Sequence, residues 1–119
     1  MMKLARVALA LLLSFASGCA LSYEYDLAHA YVTPWTQLPK SDIQEIVRVV
    51  SRRSFQSIIG IRQDPSQRKS NRVNVYTGSD SSAFVYVLER SGATWRIVDS
   101  GQMSISVVDL ALSHPPPDT

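Results

Sequence analysis

Few side chains in this sequence are equipped for covalent or acid–base chemistry. There is one thiol, Cys19, and there are two imidazoles, His29 and His114. Ser79, Asp80, Ser81 and Ser82 place three hydroxyls and a carboxylate in one short stretch, but Ser and Asp so clustered ordinarily bond their own backbone and make a turn. Glu24, Asp26 and His29 lie close together, and Asp26 and His29 would share a face if a helical turn formed. A transition-metal site usually needs three or four ligands on a rigid frame, which this segment, without sustained periodicity, does not promise. No Gly-rich phosphate loop and no paired-cysteine spacing occurs. Hydrolases and transferases need a nucleophile with a base, a pair of carboxylates or a metal. The expectation is a non-enzyme without cofactor or metal.

Export explains the single cysteine better than catalysis does. Met1 to Gly18 reads as a secretory signal: Lys3 and Arg6 at the start, an apolar run from Val7 to Leu13 continuing through Phe15 and Ala16, then Ser17 and Gly18. The run is about half the roughly twenty residues that a spanning helix needs. Cys19 follows directly, and Ala16-Ser17-Gly18-Cys19 resembles the lipobox of bacterial lipoproteins, with Ala16 where Leu is usual. Small side chains suit the narrow cleft of a signal peptidase, and an accessible thiolate suits alkylation. The resemblance implies a diacylglycerol thioether on Cys19, removal of residues 1–18, and a further palmitate-type acyl chain on the new amine. Two or more chains anchor a protein stably without spanning the membrane. Ala20, in place of the Asp associated with inner-membrane retention, implies the outer membrane and its periplasmic side.

The 119 residues are 45% apolar and 18% charged, enough for one domain. Formal net charge is +2, and Lys3 and Arg6 account for it, so the exported part is close to neutral. A neutral body lacks the long-range field that gathers phosphates, which argues against nucleic acid as a partner. Residues 19–38 read as a lipidated tether whose aromatic second half packs on a domain at 39–110. Residues 111–119, ending in His114-Pro115-Pro116-Pro117-Asp118-Thr119, read as an extended tail.

Within the domain, Ser41-Asp42-Ile43-Gln44 matches a capping box, and Ile43, Ile46, Val47 and Val50 form one apolar helical stripe. Arg48, Arg52 and Arg53 then occupy a solvated face near a C-terminus that favours cations. From Phe55 the apolar period becomes two. The strands expected are Phe55 to Arg62, Arg72 to Thr77, Ala83 to Arg90, Thr94 to Asp99 and Gln102 to Val108, with turns at Gln63-Asp64-Pro65-Ser66, Gly78 to Ser82, Ser91-Gly92 and Ser100-Gly101. The fold class predicted is α+β: one N-terminal helix on a four- to five-stranded antiparallel meander. That order of elements is similar to the cystatin-like and NTF2-like folds, a resemblance that implies no activity.

The third strand is apolar on both sides, with Phe84, Tyr86 and Leu88 facing one way and Val85 and Val87 the other. One helical stripe cannot cover both faces. Either the tether, through Tyr31, Val32, Trp35 and Leu38, folds over the second face, or a partner does. Tyr76, Val85, Val87, Trp95 and Arg96 are the partner-binding candidates, Tyr, Trp and Arg being enriched in interface hot spots. The function expected is a protein-binding or assembly module of the cell envelope, contacting an envelope protein or a second copy. The alternative is a periplasmic inhibitor or immunity-type lipoprotein that blocks an enzyme or toxin.

Overall fold

The computed structural model describes residues 23–79 and 82–117. The signal segment, Cys19 and Ala20 lie outside them. Residues 23–29 are helical (α1) and are followed by β1 (Tyr31–Val32), α2 (Lys40–Arg53), β2 (Ser57–Arg62), α3 (Pro65–Lys69), β3 (Arg72–Gly78), β4 (Ala83–Ser91), β5 (Thr94–Met103) and α4 (Ile105–Ser113). The strands form one sheet in the order β1-β2-β3-β4-β5. β1 pairs parallel to β2, while β2 to β5 are an antiparallel meander. The fold is therefore α+β, but the sheet is mixed and four helical segments are described instead of one.

The amphipathic helix lies where its stripe places it, with Ile46, Val47 and Val50 fully buried. It is not the first helix, and it does not start at a Ser41 cap. Pro39 occupies the cap position, with φ of −58°, and its carbonyl accepts from the amides of Asp42 and Ile43 at 3.0 and 3.2 Å. Asp42, in the first turn, accepts from Trp95 Nε1 at 3.4 Å and Arg90 Nη1 at 3.3 Å on its two carboxylate oxygens. The helix N-terminus is thereby tied to the β4–β5 hairpin. That hairpin has a two-residue loop whose first residue, Gly92, has φ of +64°, the left-handed conformation such loops require.

α2 covers one sheet face. Its buried residues join Ile58, Ile61, Val73, Val75, Leu88 and Trp95 in the main core, with Tyr23, Leu27, Val32 and Leu38 packed against it. The second half of residues 20–38, in which Tyr31 stays half exposed, thus joins this core through Val32 and Leu38 and, through β1, one sheet edge. It is not the cover of the Val85 face.

The second face is covered by α4. Val108 and Leu112 pack on Tyr76 and Ala83, with Val85, Ile59, Met103 and Ile105 around them. At Gly60, opposite Tyr76 in the ladder, a Cβ would come within 2.6 Å of a Leu112 methyl and 2.9 Å of the Tyr31 carbonyl. Only glycine lets the helix approach this closely. Arg62 fixes the far end of α4: Nη1 donates to the carbonyls of Ala111 and, at 2.9 Å, His114, while Nε meets Asp64 at 2.7 Å. A cation on the last carbonyls is favoured there.

The expected turn at Ser100-Gly101 and the expected strand Gln102 to Val108 are therefore corrected. β5 runs through Gly101, which pairs with Val85, and reaches Met103 opposite Ala83. Ser104 then caps a helix, its hydroxyl accepting from Val107 N at 3.4 Å. That helix takes in residues 111–113, so the extended tail begins later than the sequence suggests. Phe55, expected to open the first strand, stands fully exposed before it.

Asp26 links three elements. It is 3% exposed, and its carboxylate accepts from Ser51 Oγ of α2 at 2.8 Å and from the Ile58 amide of β2 at 3.3 Å. Asp26→Ala leaves the Ile58 amide buried and unpaired, which costs about 1–3 kcal/mol. Urea denaturation should show that loss, whereas Glu24→Ala, on an exposed position of the same helix, should leave the midpoint unchanged.

Candidate partner-binding surface

The five candidate residues do not form one patch. Tyr76 is 4% exposed beneath α4, and Val85 packs in the same cluster, so an incoming protein would meet the helix first. Val87 lies farther along the strand, half-buried, in a cross-strand row with Asn74 and Asp99. The next row is Arg72, Glu89 and Arg96, with Arg72 and Glu89 paired at 3.0 Å. This uncovered half of the second face is thus largely polar and needs no apolar cover. Trp95 belongs to the opposite core, 4% exposed with its indole N–H on Asp42. Arg96 is exposed.

Trp95 and Arg96 nevertheless meet at a surface feature. Together with Ile97 of β5 and Val49, Arg52 and Arg53 of α2, they line an open cleft of about 340 Å³. It lies beside β5, which is the last strand of the sheet, so one row of its backbone N–H and C=O groups has no strand partner among the described residues. Such an edge is a template for another strand. β5 carries a bulge here: Asp99 pairs with Val87 and Ile97 with Leu88, leaving Val98 between them without an opposite residue and 39% exposed.

The arginines of the described residues divide by partner. Arg62, Arg72 and Arg90 pair with Asp64, Glu89 and Asp42. Arg48 lies over the Tyr23 ring at 5.4 Å, and Arg68 donates to the Trp35 carbonyl. Arg52, Arg53 and Arg96 have no carboxylate partner among the described residues. The sequence marks Arg52 and Arg53 as cations suited to a helix C-terminus. It gives no sign that the β5 segment around Arg96 borders the same cleft, because that depends on how the helix crosses the sheet; the Arg96 side chain itself belongs to the Glu89 row on the other face.

Several of the groups considered for chemistry make local contacts within the described residues. His29 stacks on Tyr25 with ring centroids 4.1 Å apart and bonds its carbonyl through Nδ1 at 2.8 Å. No set of three metal-ligating side chains occurs among the described residues. Ser82 Oγ accepts from Gln56 Nε2 at 2.8 Å, and the Ser79 amide donates to the Ser82 carbonyl at 2.9 Å. Asp80 and Ser81 are outside the described residues. His114 Nδ1 is 2.9 Å from Ser113 Oγ at the exposed end of α4. Among the described residues no helix is long and apolar enough to cross a membrane.

Comparison with known proteins returns no similar family model, no similar curated protein and no similar solved structure.

Proposed function

We propose that the chain is a non-catalytic lipoprotein, anchored through acyl chains on Cys19 to a membrane facing the periplasm, where its domain binds a protein partner of the cell envelope. The lipobox-like Ala16-Ser17-Gly18-Cys19 supports the anchor. The observation that carries the binding role is the edge of β5, flanked by Arg52 and Arg53 on the α2 face and by Arg96 on the other, where both hydrogen-bonding capacity and charge lack partners among the described residues. A protein held at a membrane and acting by contact needs one such surface.

The test is extraction of the full chain from its native membrane in mild detergent, crosslinking, and mass spectrometry of what co-purifies. A stoichiometric envelope protein that disappears with Arg96→Glu supports the reading. Recovery of the chain alone at native expression would contradict it, and a bound enzyme or toxin would replace assembly by inhibition.

A further inference from the structure

The geometry points to an extended, acidic polypeptide segment as the occupant of the β5–α2 cleft, added to the sheet as a further antiparallel or parallel strand along β5. This inference rests on the binding role just proposed and specifies its partner.

Three features of the cleft converge on that occupant. On either side of the bulge at Val98, β5 offers main-chain donors and acceptors that another extended backbone matches. Val49, Trp95 and Ile97 give alternate side chains of such a segment an apolar floor, and the flanking helix confines it from the other side. Arg52 and Arg53 add positive charge on the α2 side of the edge, Arg96 adds it on the other face of β5, in the row with Glu89, and guanidinium forks favour carboxylates. The helix C-terminus accounts for cations at Arg52 and Arg53. Arg96, which comes from the strand, stands opposite Glu89, whose carboxylate is already held by Arg72.

Charge also decides against a second copy of this chain. Two β5 edges brought together about a twofold axis would bring two sets of Arg52, Arg53 and Arg96 to one seam, and like charges at close range disfavour the pairing. An acidic strand gains at the same positions.

The experiment uses the full chain purified in detergent and a fluorescein-labelled peptide of four Glu-Val repeats. Its controls are a Lys-Val peptide and a Glu-Val peptide with alternate amide nitrogens methylated. The inference predicts saturable binding of the Glu-Val peptide by anisotropy, slowed amide exchange confined to residues 94–100, and affinity about tenfold weaker with Arg53→Glu or Arg96→Glu. Lys69→Glu, exposed on α3, should leave it unchanged. Methylation should abolish binding, because it removes strand hydrogen bonds while keeping every charge. Equal binding of the methylated peptide would overturn the inference in favour of charge capture alone, the behaviour expected of an anionic lipid site. Absence of binding, or self-association of the chain through β5, would overturn it as well. Should an envelope partner still co-purify in either case, the general binding role stands and only the cleft assignment falls.

Discussion

Val47→Asp is expected to remove a large part of the domain's stability. Val47 has no exposed surface and lies at the centre of the core that joins α2 to β2, β3 and β4. An unpaired charge buried there costs about 3–5 kcal/mol, a large share of the roughly 5–15 kcal/mol that stabilises a domain. Arg52→Ala, on the exposed side of the same helix, should change stability by no more than about 0.5 kcal/mol. Thermal and urea denaturation of the two variants would check the pair. Equal losses would show that the helix does not bury the Ile46, Val47 and Val50 stripe.

The second large effect concerns α4. Val108 is fully buried and Leu112 is 8% exposed, so Val108→Asp should also cost about 3–5 kcal/mol and release the helix from Tyr76, Ala83 and Val85. The apolar face so uncovered should bind a hydrophobic dye. Val87→Lys, half-buried beside Asp99, should keep stability within about 1 kcal/mol of the parent. The contrast separates a sheet face closed by the chain's own helix from one closed by another protein. A stable, monodisperse Val108→Asp variant together with an unfolded Val87→Lys variant would reverse the assignment.

These two helices also show what the sequence discloses and what it conceals. α2 was legible because 14 residues allow the 3.6 period to be counted over several turns, and its apolar stripe is unbroken. Three of the expected strands agree closely with β2, β3 and β4, since their side chains alternate between turn residues. α4 was not legible. In its short segment Met103, Ile105 and Val107 fit a period of two, while Ile105, Val108 and Leu112 fit a helix, and a short apolar run cannot decide between them by periodicity. The deciding signals were Ser104 as a cap and the Leu-Ala-Leu run at 110–112, which suits a helix better than a strand. Ser100-Gly101 misled for a related reason. Such a pair marks a turn by its freedom, not by necessity, and in the sheet Gly101 continues the ladder opposite Val85 with open space where its Cβ would be.

β1 and the cleft were out of reach on different grounds. Tyr31–Val32 is two residues long and exists as a strand only through its partners Gly60 and Ile61, about thirty positions away. Trp95 and Arg96 could be picked out by residue type, but their neighbours Val49, Arg52 and Arg53 come from another element. The sequence therefore singled out Trp95 and Arg96 and assigned Arg52 and Arg53 to solvent. Tyr76 is buried under α4, whose first residues fit a period of two and so give no sign in the sequence of a covering helix.

The central claim is that this domain acts while tethered by lipid at Cys19, and intact-mass spectrometry of the chain extracted from its native membrane tests it most directly. The account predicts a mature protein that begins at Cys19 and carries the added mass of a diacylglyceryl group, with or without a third acyl chain, and a Cys19→Ser variant that stays as the uncut precursor. A chain of unmodified mass starting elsewhere, or a Cys19→Ser variant processed and located like the wild type, would contradict it.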